Sequence, residues 1–265
     1  MQNLVSNLAA DALAATCAAT LLAPIITVID KSVVESTAHG IPLQQSWRNT
    51  LSTILRRPGF LLSKPFLIMH GLYLSTYMTA NTCDTIQSLS DTSGTMGATT
   101  KFAAVSIVNM SYGIYKDTRF AAMFGPRAST AAAAGVVAPR RPVPLPALSA
   151  FFVRDTITIF ACFNLPPLLA PYVPDALAES PQAKRNLTQL LCPAAIQLVS
   201  TPLHLVGLDL YNRPLGQESV GLAQRLSLIR RHWGGACLAR IGRIVPAFGI
   251  GGIVNANLRE KWRSG

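Results

Sequence analysis

The sequence predicts an all-α membrane protein, with six transmembrane helices in three pseudo-symmetric two-helix repeats around a central cavity. Three observations predict it. Half of the 265 residues are hydrophobic, only 13% are charged, and mean hydropathy is +0.34. The apolar residues gather in six blocks, each about long enough to cross a bilayer. Positive charge is concentrated in every second interval between those blocks.

A soluble domain carries roughly 25% charged residues because its surface must face water. At half that fraction too little polar surface remains to cover a globule, and lipid is the simplest outer solvent. A hydrocarbon core of about 30 Å takes roughly 20 helical residues. Block one runs from Leu4 to Val34 and contains Pro24, and block two runs from Leu61 to Ala80. The Ser/Thr/Gly/Asp stretch from Ser88 to Thr100 reads as a loop. Block three spans Lys101 to Phe124, and a Pro- and Ala-rich linker from Ser129 to Pro146 follows it. Block four covers Leu148 to Tyr172, block five Leu187 to Leu210, and block six Ala236 to Leu258. Asn81, Asn109, Asn164, His204 and Asn255 lie in or beside these blocks. Such polar groups in a membrane face a bundle interior or a wet cavity, which favours a bundle over separate spans. Prolines in all blocks but the third imply kinks, which spanning helices accommodate.

The net charge of +11 raises the question of nucleic acid, but no basic stripe with interleaved aromatics and no nucleic-acid motif accompanies it. The intervals after blocks one, three and five, with the block ends bordering them, hold 17 of the 23 basic residues. Six crossings put those three intervals on one side, so the positive-inside tendency orients them inward and both termini outward. The intervals between them hold Asp84, Asp91, Asp175 and Glu179 instead. Five dispersed cysteines offer neither a disulfide framework nor a zinc site. The first basic residue is Lys31, with Asp11 before it, so no signal or transit peptide is expected and targeting information is expected to be internal. The four histidines lie far apart in no nucleophile or metal spacing, so no enzyme activity, cofactor or metal is expected. Gly249, Gly251 and Gly252 suit close helix packing better than a nucleotide loop.

A repeated pair of phrases underlies the threefold reading. Pro24, Ser111 (in SYGIYKDTR) and Pro202 (in TPLHLVGLDLYNRP) occupy corresponding places. Pro65, Ile157 and Pro246 answer them after 41, 46 and 44 residues. The repeats are placed at residues 1–97, 98–180 and 181–265. These phrases resemble the mitochondrial carrier family, whose odd helices carry Pro-x-(Asp/Glu)-x-x-(Lys/Arg). VRDTITIFACF resembles its fourth helix, and RRHWGGACLARIGRIVPAFGIGG the approach to its sixth. The resemblance implies a divergent carrier-like protein of a mitochondrial membrane, inner in preference to outer. It implies transport of a small anionic metabolite by alternating access, with the lipid bilayer and the solute as partners. It marks Pro24, Lys116 and Pro202 as gate-like positions and Leu62, Arg154 and Arg243 as substrate contacts.

The sequence departs from the carrier pattern in the gate. The six positions of the salt-bridge ring fall on Ile26, Ile29, Gly113, Lys116, His204 and Gly207, so only one is kept, and Asp30 and Lys31 lie displaced. A carrier-derived adaptor or structural protein that does not transport is therefore the alternative. His204, on an apolar helix, joins the substrate-binding candidates, with a plain inter-helix hydrogen bond as its other reading. Arg154 could instead pair with its neighbour Asp155, and Arg243 could extend to the interface. His70 and Asn81 are candidates to approach the cavity, and Asp84 and Asp91 read as gate remnants or solvated loop charges.

Overall fold

A computed structural model describes residues 2–56, 58–90, 95–125, 142–213, 221–244, 246–247 and 251–263. Among these residues all regular structure is helical and no strand occurs. The helices are α1 (Gln2–His39), α2 (Leu43–Arg56), α3 (Lys64–Leu89), α4 (Thr95–Phe124), α5 (Leu145–Phe163), α6 (Leu165–Leu169), α7 (Pro181–Ala195), α8 (Gln197–Asn212), α9 (Leu222–Gly242) and α10 (Gly252–Arg263). Two short 3-10 turns, Pro58–Leu62 and Ala170–Tyr172, accompany them.

Three stretches are long and apolar enough to cross a membrane: Leu4–His39, Leu145–Cys162 and Pro181–Asn212. They correspond to blocks one, four and five. Blocks two, three and six fall on α3, α4 and the α9–α10 region, where Ser, Thr, Asn and charged side chains dilute the hydropathy. Inside α1 the hydroxyls of Thr16, Thr20, Thr27 and Thr37 each donate to the carbonyl four residues back. Such back-bonding satisfies the hydroxyl within the helix itself. A threonine-rich segment can then meet lipid without a bare donor. One face of α1 is a buried stripe of small residues including Ala14, Ala15, Ala18 and Ala19, while Leu13, Leu21 and Ile25 stay exposed.

The loop expected from Ser88 to Thr100 is mostly helix. α3 continues to Leu89 and α4 starts at Thr95; Asp91 lies outside the described residues. Ser88, Ser90 and Thr100 turn their hydroxyls back onto the carbonyls of Thr85, Ile86 and Met96, so polar composition did not end the helices. α2 fills an interval that was read as a connector. Its 14 residues are too few for a spanning run, and it leaves Trp47 and Leu51 exposed. The expected linker lies outside the described residues as far as Arg141, as does Gly249, and α5 begins at Leu145.

The chain divides into two compact units. Unit 1 comprises Met1–Val28, Leu51–Lys116 and Val245–Gly265. In it α3 buries Phe66, Met69 and Leu72, and Asn109 of α4 donates to Thr76 of α3 at 3.1 Å. Gly251 lies against Leu22 and the hydroxyl of Tyr77, a spacing that leaves no room for a Cβ.

Unit 2 comprises Ile29–Thr50 and Asp117–Ile244. Its frame is α5 against α8, with α9 also packed on α8. Trp233 donates its indole N–H to the carbonyl of Leu198 at 3.1 Å. At the α5–α8 contact Phe151 is fully buried and rests on Gly207. A Cβ at Gly207 would lie 2.7 Å from Cδ1 of Phe151 and overlap Cε1. Gly207→Ala should therefore lower stability by about 1–3 kcal/mol, the usual cost of overpacking a closed core. A thermal midpoint in detergent equal to that of the unchanged protein would contradict this.

Candidate functional site

In a chain with so few charges, the buried ones mark the place to look. Unit 2 buries Asp30, Asp117, Arg154, Arg225 and Arg240. Arg225 is paired with Asp209, and the half-buried Asp155 and Arg243 join the other four in one cluster. The packing of α5 on α8 sets their centre. Phe151 and Arg154 are one turn apart on α5, and His204 and Gly207 are one turn apart on α8, so the contact that buries Phe151 also brings Arg154 to His204. Their side chains are joined by a hydrogen bond of 2.7 Å between Arg154 Nη1 and His204 Nδ1.

Arg154 is 3% exposed and its guanidinium is heavily used. Nη1 also donates to Oδ2 of Asp117 on α4, while Nε and Nη2 donate to Oδ1 of Asp155 at 3.0 and 2.6 Å. The guanidinium carbon lies 5.4 Å from the centre of the Phe151 ring, in reach of a cation–π contact. Arginine can only donate, so Nδ1 of His204 accepts and the ring proton sits on Nε2 in this arrangement. The pairing with Asp155 that the sequence offered is present, and Asp117, which sequence reasoning missed, is added to it.

Arg243 sits directly after α9, where its Nη1 donates to both carboxylate oxygens of Asp30 at 3.0 and 3.1 Å. Thus the acid displaced from the expected ring position still finds an arginine. One turn before it, Arg240 is 4% exposed and donates from Nε to Gln197 Oε1 at 3.0 Å. Gln197 is held in turn: its amide donates to the carbonyl of Pro193, and its oxygen also accepts from Ser200. Arg240 and Gln197 were not among the predicted site residues. The signal was available, because Arg240, like Arg243, lies within the sixth apolar block and is an ionisable group at membrane depth.

The predicted set divides between the units. Arg154, His204, Arg243 and Pro202 lie in unit 2, with Pro202 inside α8. Pro24, Leu62 and Lys116 lie in unit 1. Pro24 is inside α1 and Lys116 is buried on α4, whereas Leu62 is 80% exposed on the first 3-10 turn. His70 stacks on Phe66, with its Nε2 3.1 Å from the Thr20 hydroxyl.

Unit 1 has a charge network of its own. Asp11 on α1 is 0% exposed. It accepts from Nε of Arg259 at 2.6 Å, from Nη2 of Arg263 at 2.9 and 3.1 Å, and from the hydroxyl of Thr85. Arg259 reaches on to Asp84, which also pairs with Lys101 at 2.7 Å. Asn81 and Asn255 exchange amide hydrogen bonds of 2.9 Å. α1, α3, α4 and α10 are tied together this way, and Asp84 is a network member rather than a loop charge.

A separate cleft of about 240 Å³ in unit 2 is lined by Val33, Ser36, Ile41, Leu43, Arg231 and His232, among others. Burial and the neighbouring Arg231 hold the His232 imidazole below its ordinary range. Among the described residues no group of His, Cys, Asp and Glu has the makings of a metal site.

A family model described as "Probable citrulline exporter" matches residues 14–263. No curated protein and no solved structure matches the chain. The family match overturns the resemblance to the mitochondrial carriers, and no carrier-family model matches. Proline-spaced helix pairs with basic connectors suit many helical membrane proteins, so those phrases carried less than the missing ring. The mitochondrial placement rested on that resemblance alone.

Proposed function

The chain belongs to the probable citrulline exporter family, and from that premise we infer that it moves a small, net-neutral amino acid, citrulline or a close analogue, across a membrane. An exporter is a transporter rather than an enzyme, and the apolar helices supply a membrane body for one. Six crossings, with α3, α4 and the α9–α10 region completing the three most apolar stretches, keep the basic intervals on one side.

The observation that carries the substrate reading is the balance of the charge cluster in unit 2, four of whose six members are buried. Three arginines (154, 240 and 243) stand with three aspartates (30, 117 and 155). An excess of positive charge would favour an anion. A balanced set, with Arg154 and Arg243 already paired, favours a solute that brings one charge of each sign. Charges are retained at such depth where they serve a pathway.

Purified protein in liposomes loaded with labelled citrulline tests the reading. Citrulline should leave the vesicles faster than from protein-free ones, and unlabelled citrulline should compete better than glutamate or ornithine. Folded protein that gives no citrulline flux would remove the proposal and leave a non-transporting role. Preference for glutamate would restore the anionic substrate read from the sequence.

A further inference from the structure

Arg240 differs from the other two arginines of the cluster. Arg154 has Asp117 and Asp155, and Arg243 has Asp30. Arg240 makes no ion pair among the described residues, and its Nε–H···O bond to Gln197 leaves both terminal nitrogens donating to none of them. It nevertheless is 4% exposed. Its electrostatic surroundings are Arg243 and Arg154, offset by Asp30 and Asp117. A guanidinium bonded through Nε alone among the described residues keeps its Nη1/Nη2 edge in reserve as a planar fork. That fork matches a carboxylate with two parallel hydrogen bonds.

An opposite pole lies within electrostatic reach. Asp155 spends only Oδ1 on Arg154; its Oδ2 is buried and has no hydrogen-bond partner. The charge of Arg240 acts on Asp155, though less than that of Arg154. The same unit also holds buried hydroxyls of Ser32 and Thr201 that lack partners. A buried carboxylate oxygen left bare is costly unless a donor reaches it.

We propose that Arg240 and Asp155 are the two poles of the substrate site, Arg240 taking the α-carboxylate of an amino acid and Asp155 Oδ2 its α-ammonium. The proposal rests on the transport reading and deepens it, since it assigns each end of the zwitterion to a residue. Gln197 and Ser200 are positioning residues: they fix Nε of Arg240 and so aim the fork. Arg154 fixes Asp155 in the same manner.

The test is competition against labelled citrulline efflux in liposomes, with three unlabelled compounds: citrulline, its α-amide, which lacks the carboxylate charge, and its Nα-acetyl derivative, which lacks the ammonium. In the unchanged protein both derivatives should compete at least about tenfold more weakly than citrulline, because a polar site left unpaired rejects the analogue lacking its partner. Arg240→Gln should raise the half-inhibitory concentration of citrulline at least about tenfold and abolish discrimination against the amide alone. Arg240→Lys should keep part of it. Asp155→Asn should abolish discrimination against the acetyl derivative alone. Equal competition by citrulline and its amide in the unchanged protein overturns the assignment, whatever the variants do. So does a folded Arg240→Gln protein that still tells them apart. If the unchanged protein moves no citrulline, the transport reading fails by itself. Thermal stabilisation in detergent by citrulline but by neither derivative would then still support the two poles, and its absence would overturn them.

Discussion

Arg154→Gln is expected to abolish citrulline flux and to lower stability by about 3–5 kcal/mol, the range for removing one member of a buried charge pair. Arg154 serves three acceptors at once: the Asp117 carboxylate, Oδ1 of Asp155 and Nδ1 of His204. Its loss leaves two carboxylates away from water with their main counter-ion gone. Glutamine can replace one donated hydrogen bond and none of the charge. Asp117→Asn in the same protein should recover part of the stability, since it removes one of the stranded charges, while flux should stay absent. That pattern is a positive coupling between contacting residues. Thermal midpoints of the single and double variants in detergent measure it. Additive losses would show that the pair is not coupled.

Asp11→Ala should produce a loss of similar size, about 3–5 kcal/mol, for a different reason. Here one fully buried carboxylate serves two arginines, Arg259 and Arg263, and the Thr85 hydroxyl. Alanine leaves Arg259 with Asp84, the Asn81 carbonyl and the Thr85 hydroxyl, and leaves Arg263, among the described residues, with Thr85 alone. The consequence should be local as well as global. α10 is the shortest of the helices bound by this network and buries no residue of its own, so its attachment depends on these polar bonds. Trypsin should cut at Arg259, Lys261 and Arg263 faster in Asp11→Ala than in the unchanged protein, at temperatures where both remain folded. Equal cleavage rates together with an unchanged thermal midpoint would show that the network does not hold α10.

Much of the helical body was legible in the sequence. The apolar blocks, the breaks between them and the prolines depend on composition and near neighbours, and α1, α4 and α5 lie close to their expected places. The errors have local causes. Serine and threonine around residues 88 to 100 read as loop because their hydroxyls can disrupt helices, yet here the same hydroxyls bond back into them. α2 escaped because a search for spanning lengths passes over 14 residues. The family assignment failed because proline spacing and basic connectors outweighed the absence of the ring. The site was half legible: Arg154, Arg243 and His204 were named, whereas Arg240 counted only among the basic residues bordering an interval, Asp117 stood unremarked in the phrase SYGIYKDTR, and Asp11 was read only as an acid near the N-terminus.

By itself the sequence determined that this chain is helical and suited to lipid, since those properties follow from hydropathy and from backbone hydrogen bonds closed within a few residues. Only the tertiary structure decided which charges are spent on one another and which are not. Asp117 meets Arg154 across 37 residues, Asp30 meets Arg243 across 213, and Asp11 meets Arg259 across 248. Attraction between charges depends on their distance and on the medium between them, and neither quantity is written along a chain. That is why Arg240 looks like its neighbours in the sequence and stands apart from them in the fold.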